Sequence, residues 1–545
     1  MGLVAALLVG MIASLGFASR MWTSVLHFDP GFVFAHAPVP TGAPLSTSVT
    51  ILLIDGLRLD ASRRMPELNA LRVQGASIEA IVGTPSFSRP GRATLVVGAP
   101  PDIHGVTSNR QKRAIPLDSL IRRVGASGGA CRIAGSKIWS GLFSEDIARC
   151  GAYLEGEGKE GPGMFVRQVP EIRQAQEQGI VFVLQEPAML RIADVISTDF
   201  AAHEYGGASA EYAAEVLRAD ALIAVVAARL DLTRETLVVT ADHGHRDSGG
   251  HGGDEPEVLS IPIVMAGAGI RSSVNLSARQ EDLAPTIAAL LGIGLPTAAA
   301  GRVIEAALLA DDTKLAMIKG AGAMQKVAFD RGIARRLGTV EGDLAGSDWR
   351  TLISDQNRRT RRERTPFALL VSTLGLIVTG AAIWCARPDP RALIAGGAGL
   401  AVTLVLLLVP KMPAMSFSSI NYDEMLIPFF VRVMVLAALA TLVSVLSTLV
   451  FGVFGKPVAL DRAITSASAM GLLVSGIPGL TLIAKWWSEP LLQPATLPGP
   501  DEMVAAYSLT LSLLSATVTT LMFLAAVRTI EGFRAGRNRT VQGTT

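Results

Sequence analysis

Thr236-Leu237-Val238-Val239-Thr240-Ala241-Asp242-His243-Gly244 reads as a strand that runs straight into an acid, an imidazole and a glycine. The apolar residues do not alternate with polar ones, so the strand is covered on both faces. The same grammar recurs at Val49-Thr50-Ile51-Leu52-Leu53-Ile54, followed by Asp55-Gly56, and Ile261-Pro262-Ile263-Val264-Met265 reads as a third strand. Between and after them lie helical patterns over 211–230 and 281–291. Strands alternating with helices predict an α/β domain with a mainly parallel central sheet, spanning 46–304. In such sheets the ligand sits at the carboxyl ends of the strands. Asp55 and Asp242-His243 both fall at such ends.

The rest of the chain has a different composition. Of 545 residues, 50% are hydrophobic and only 18% charged, against about 25% charged in ordinary soluble domains. The net charge of +2 argues against a nucleic-acid partner, and three cysteines exclude both a disulfide scaffold and a Cys-rich zinc module. The apolar excess sits in charge-free blocks at 2–18, 366–386, 392–409, 433–454, 463–484 and 504–527. Each is close to the roughly 20 residues that cross a bilayer. We read six spans, with a break at Ser475-Gly476-Ile477-Pro478-Gly479 and Trp384, Trp486 and Trp487 at span ends. The organisation is then a signal anchor and linker (1–45), the α/β domain (46–304), a helical connector (305–365), an all-α domain of five spans (366–530) and a basic tail (531–545). Arg528, Arg534, Arg537 and Arg539 hold the tail in the cytoplasm by the positive-inside rule. Six spans then put residues 20–365 outside. The arginines at 358, 359, 361, 362 and 364 oppose that rule and read as a headgroup-binding collar.

Seven histidines occur in the chain, and His203, His243, His245 and His251 cluster with Asp199 and Asp242. Carboxylate and imidazole suit zinc and similar divalent ions. Asp199 and His203, four apart, can share one side of a helical turn. Asp242 and His243 diverge at a strand end, toward two adjacent ions. Glycines on either side of His251 let the backbone approach closely.

Together these segments resemble the alkaline phosphatase superfamily, in the branch of nucleotide pyrophosphatases/phosphodiesterases and GPI ethanolamine phosphate transferases. That branch uses Asp, a Ser/Thr nucleophile, Asp-x-x-x-His, Asp-His-Gly and Gly-x-His-Gly in this order. Asp55, Asp199 with His203, Asp242 with His243, and His251 match the ligand elements. Residues 88–98 resemble the nucleophile segment, 101–106 its continuation, and 262–292 the closing strand and helix. A multi-span half after the domain resembles the GPI ethanolamine phosphate transferases in particular. The resemblance implies an alkaline-phosphatase-like sandwich holding two divalent ions, zinc by preference. Asp199, His203 and His251 would hold one, and Asp55, Asp242, His243 and the nucleophile oxygen the other. His245 has no counterpart in the pattern and reads as a supporting or loop residue.

Ser88, two residues before Pro90 as in the family, is the expected nucleophile, with Ser86 as the alternative. Asn109 would donate to a phosphoryl oxygen. Arg92 is a departure from the phosphotransferase pattern; it joins the candidate catalytic groups because Ser88-x-Pro90-x-Arg92 formally fits a serine-type sulfatase, although histidine-rich ligands oppose that reading. His104 reads as a structural turn residue. Cys131 and Cys150 are either bonded, as an oxidising compartment allows, or two free thiols. The expected function is a membrane-bound two-zinc phosphotransferase with a phospho-serine intermediate. It would move phosphoethanolamine or a similar group from a lipid donor to a lipid or sugar hydroxyl. The partners are thus a phospholipid or glycolipid substrate and the membrane, with oligomeric state left open. A hydrolase using water and an inactive headgroup-binding scaffold are the competing readings.

Overall fold

The computed structural model describes residues 27–338 apart from 36, 112 and 156–163, then 348–353 and scattered single positions elsewhere. The predicted spans fall, isolated positions aside, outside the described residues. Among the described residues no helix is long and apolar enough to cross a membrane.

Eight strands form one sheet: β1 (Ser48–Ile54), β2 (Ala76–Ile81), β3 (Cys131–Ser136), β4 (Gly151–Glu155), β5 (Leu190–Val195), β6 (Glu235–Thr240), β7 (Ser260–Gly267) and β8 (Val274–Arg279). Their order is β4-β3-β5-β1-β6-β7-β2-β8. The pairs β4–β3, β3–β5, β5–β1, β1–β6 and β2–β8 are parallel. Only β7 runs against its neighbours, antiparallel to both β6 and β2. The mainly parallel α/β sheet expected from the sequence is therefore present.

The three strands read from sequence are β1, β6 and β7. β1 and β5 are buried at every position, so both faces of the sheet are covered. Seven helices of eight or more residues occur among the described residues: α1 (Pro66–Gln74), α2 (Ser88–Val97), α3 (Met164–Leu184), α4 (Ser197–Tyr205), α5 (Ala210–Ala227), α6 (Leu283–Leu290) and α7 (Asp312–Leu337). Helices α3, α4 and α5 pack together, with α1 against α5; α2 and α6 form a second group. The sequence between 150 and 180, which reads as a Gly- and Glu-rich insertion, includes edge strand β4 and most of α3, and α3 lies against β3 and β5.

The core reaches beyond 46–304. Ile318, Phe329 and Ile333 of α7 are buried in it, as is Phe32. Phe34 stacks on Phe329 with centroids 4.8 Å apart. The linker and connector thus close over the end of the domain rather than trailing from it.

Candidate metal centre and nucleophile

Strand register brings the acids together. Ile54 pairs with Val195, and Leu53 with Thr240, so β5, β1 and β6 end at one level. Asp55 follows β1 directly, Asp242 follows β6 by two residues, and α4 starts just after β5 and carries Asp199 and His203. His251 comes from the loop between β6 and β7. That loop is tied to the nucleophile segment by Ser86 N donating to Gly252 O at 3.1 Å. Gly252 has φ +114°, and a Cβ there would lie 2.1 Å from the Phe87 ring, so glycine is required.

Among the described residues two groups of buried donors could hold an ion: Asp199, His243, His245 and His251, and Asp55, Asp242 and His243; His203, expected as a ligand, is outside both but borders the first. At that border, His203 Nε2 and His251 Nε2 face each other at 3.1 Å, and Asp199 Oδ2 lies 3.4 Å from His203 Nε2. His251 Nδ1 lies 3.1 Å from Ser86 O. That bond puts the proton on Nδ1 and leaves Nε2 as a lone pair aimed at the cluster. In the second group, His243 Nδ1 likewise meets Gly244 O at 3.0 Å. Its Nε2 lies 3.4 Å from Asp55 Oδ1 and 3.8 Å from Asp242 Oδ2. Asp55 Oδ1 is buried and has no hydrogen-bond partner. The His243 and His251 rings stack at 3.7 Å and join the two groups. An orphaned carboxylate oxygen facing imidazole nitrogens is costly in a dry interior and fits a cation.

The electrostatics agree. Burial pulls His203 and His243 down to about 4, and His245 and His251 well below their ordinary value. All four are neutral near pH 7 and can act as ligands. Burial would raise Asp55, but the Arg92 guanidinium and His243 outweigh it and hold this carboxyl low. Burial and the like charge of Asp55 push Asp242 up.

Ser88 is the first residue of α2, so its side chain sits at a helix N-terminus, where backbone N–H groups favour anionic oxygens. Its Oγ lies 3.2 Å from His243 Nε2. A Cβ at Gly91 would lie 2.6 Å from Asp242 O, so the helix reaches this depth only because residue 91 is glycine. The rival hydroxyl, Ser86 Oγ, donates to Gly253 O at 2.7 Å. Asn109 Oδ1 accepts the Arg89 N–H at 2.9 Å, which sets the amide beside the start of α2.

Arg92, placed among the catalytic candidates from sequence, is 0% exposed. It donates from Nη1 to Asp242 Oδ2 at 2.6 Å and from Nη2 to Asp55 Oδ2 at 2.7 Å. It reaches Asp194 Oδ2 at 3.2–3.3 Å from Nη2 and Nε. Its guanidinium is thus buried behind the candidate ligand carboxylates and pins one oxygen of each. Asp194 was not singled out by sequence reading. The signal for it was a carboxylate inside a fully buried strand, beside an arginine in an apolar helix: buried charges come in pairs. His245, which reads from sequence as a supporting or loop residue, is buried with Nε2 2.7 Å from Asp199 Oδ1 and stands within the first donor group. His104, also buried, receives Val106 N–H on Nδ1 at 3.0 Å and meets Thr94 Oγ1 through Nε2 at 3.1 Å, as a turn residue should. Cys131 and Cys150 are disulfide-bonded. Ser418, far along the chain, accepts the Gly253 N–H and donates to Glu255 Oε2, each at 2.8 Å.

Residues 49–114 match the family model described as type I phosphodiesterase / nucleotide pyrophosphatase. The match lies within the α/β domain and agrees with the resemblance that the sequence motifs carry, to the phosphodiesterases and phosphotransferases of the alkaline phosphatase superfamily. Within it, the chain is similar to the catalytic subunit of human GPI ethanolamine phosphate transferase 2, at 25% identity over 281 residues, covering 48% of this chain and 28% of that protein. Mouse GPI ethanolamine phosphate transferase 1 is 22% identical over 323 residues, 51% and 34% of the respective chains. The chain thus spans about a third of the length of these curated relatives. Among solved structures, murine ectonucleotide pyrophosphatase / phosphodiesterase 5 aligns with TM-score 0.39 and 14% identity, over 48% of this chain and 100% of that one.

Proposed function

We propose that the chain is a membrane-bound, two-zinc phosphotransferase that works through a phospho-Ser88 intermediate. The group moved is phosphoethanolamine or a close analogue, from a lipid donor to a lipid or sugar hydroxyl. The observation that carries this reading is Ser88 Oγ, at a helix N-terminus and 3.2 Å from the Nε2 of His243, within the carboxylate–imidazole cluster. The similarity to GPI ethanolamine phosphate transferases supports the transferred group.

Bound zinc would supply acidity to the Ser88 hydroxyl and offset charge on the phosphoryl and leaving oxygens. Asp199, His203 and His251 would hold one ion, and Asp55, Asp242 and His243 the other. Ser88 Oγ forms the new bond to phosphorus while the bond to the leaving alkoxide breaks. The N-terminus of α2 and the Asn109 amide receive the phosphoryl oxygens. The acceptor hydroxyl then attacks phosphorus, loses its proton and frees Ser88. With water as acceptor the same steps give a phosphodiesterase, which is the reading that the family model favours.

Six spans would place the α/β domain outside the cytoplasm. The Cys131–Cys150 disulfide supports an oxidising compartment. The Ser418 hydrogen bonds support the same topology, because residues 410–432 fall on the side of the catalytic domain in that reading.

The test is turnover of a chromogenic phosphodiester and its monoester by purified full-length protein, beside Ser88→Ala and chelated samples. A second arm supplies phosphatidylethanolamine and a glycolipid acceptor in detergent. Metal-dependent diester cleavage that Ser88→Ala abolishes supports the chemistry, and a modified acceptor supports transfer. Zinc-free protein inert in both arms overturns the reading.

A further inference from the structure

The two ligand groups differ in what lies behind them, and the difference centres on Arg92. Asp242 has both oxygens engaged within the protein. Oδ2 accepts Arg92 Nη1 at 2.6 Å, while Oδ1 accepts Gly56 N at 3.2 Å and His243 N at 3.1 Å. Asp55 gives Oδ2 to Arg92 Nη2 at 2.7 Å and keeps only Oδ1 unpartnered. Arg92 is in turn held from the far side by Asp194, whose Oδ2 also accepts Trp139 Nε1 at 3.0 Å. All four charged groups are at most 6% exposed in their side chains. The group around Asp199, by contrast, pairs one carboxylate with imidazoles. The buried arginine beside it, Arg58, donates from Nη1 to the His245 carbonyl at 3.3 Å and to Asp247, and from its other nitrogens to Asp60, not to a candidate ligand carboxylate.

We propose that Arg92, anchored by Asp194, is a fixed internal cation that weakens the metal affinity of the Asp55–Asp242–His243 centre. It does so in two ways. It occupies one oxygen of each ligand carboxylate, so Asp55 is confined to Oδ1. It also places a permanent positive charge beside a divalent ion in a region of low dielectric, where like charges repel strongly. Three carboxylates and one guanidinium leave a local charge of minus two, which one divalent ion cancels. Asp194 makes this arrangement possible: it touches none of the metal-facing atoms and acts only by holding Arg92. The result is a centre that stays intact without its ion, because the acids are already partly neutralised, and that does not grip the ion more tightly than turnover requires.

This inference rests on the metal-binding reading of the site, and the experiment separates the two. Full-length protein is stripped with a chelator, and zinc affinity at each centre is measured by competition with a chromophoric chelator for the parent, Arg92→Met, Arg92→Lys and Asp194→Asn. The internal-cation role predicts shifts of opposite sign. Arg92→Met should tighten the Asp55–Asp242–His243 centre by about tenfold or more. Asp194→Asn should loosen it by about tenfold, since an acid is lost while the cation stays. Arg92→Lys should remain near the parent, because charge is kept. The His203–His251 centre should move less than about threefold throughout. A merely structural Arg92 predicts weakening in both Arg92→Met and Asp194→Asn, and that result overturns the proposal. Arg92→Met also leaves buried acids unbalanced. If it fails to fold, Arg92→Lys decides: zinc affinity within about threefold of the parent supports the proposal, because the charge alone is kept, and a clear weakening, as loss of the forked contacts would give, overturns it. No zinc binding by the parent would sink the metal-binding reading itself.

Discussion

The two halves of the site solve the same problem with different chemistry. The Asp199 half gathers His203, His245 and His251 around one carboxylate, and its groups come from a helix and a loop. The Asp55 half gathers two carboxylates from strand ends around one imidazole, then sets a guanidinium behind them. Imidazoles can be buried without a counter-charge because burial makes them neutral. Carboxylates cannot, so a buried cation has to accompany them. Ser88 belongs to the second half. In the proposed reaction the nucleophile would therefore sit where the field is most strongly set by fixed charge, and the first half would be left to receive the opposite oxygen of an in-line displacement.

The comparison can be broken by taking the halves apart. Ser88→Ala should cost at least about 10³-fold in diester turnover, while metal content measured by plasma emission stays at the parent value. Equal losses of activity and metal would mean that Ser88 builds the site rather than reacts in it. Asp55→Ala and His203→Ala should each lower the content from about two ions to about one, the first from the acid half and the second from the histidine half. Loss of both ions in either variant would show the halves to be one cooperative unit. His245→Leu should weaken zinc binding in the histidine half by about tenfold or more, with His245→Gln in between, since Asp199 Oδ1 loses the group that orients it.

Acidification tests both halves together. His104, His203 and His243 are held down to about 3, 4 and 4 by burial. A folded-state value below the unfolded one means that the unfolded chain binds more protons. The stability they contribute is complete above about pH 6.5 and is lost as pH falls through that value toward 4. The melting temperature of zinc-free protein should therefore fall steadily over this window, and a flat profile would contradict the buried, neutral histidines. The smallest effect is expected at Ser86→Ala: about 1 kcal/mol of stability for one lost buried hydrogen bond, measured by denaturant titration, with turnover close to the parent. A large loss of activity would restore Ser86 as the nucleophile.

Much of this was legible before any coordinates. Asp55 and Asp242 follow runs of buried strand, and a strand end is where a parallel sheet presents ligands, so position and chemistry pointed the same way. Asp199 and His203 share one helical face by spacing alone. Spacing before Pro90 favoured Ser88 over Ser86, while the hydrogen bond from Ser86 Oγ to Gly253 O, across 167 residues, was hidden from the sequence. The Arg92–Asp194 pair was half visible. Arg92 stood out as a departure, but its partner lies 102 residues away, and nothing local connects an α2 arginine to a β5 acid. The reversal of β7 was likewise hidden, because residues 260–267 carry the same apolar pattern that either direction would show. Phe32 and Phe34 looked like linker, since a pair of aromatics beside a helix not yet placed has no visible mate.

The reversal of β7 has a consequence for how this protein could change over time. A parallel neighbour of β6 would require the chain to cross to the opposite end of the sheet before returning. Because β7 is antiparallel, the chain leaves β6 and re-enters β7 at the same end, and residues 241–259 form a closed loop there. Asp242, His243, His245 and His251 all belong to that one loop. The connection behaves as a cassette: its length and sequence can be rewritten without re-threading the sheet, so ligand spacing and substrate fit can drift while the parallel core stays fixed.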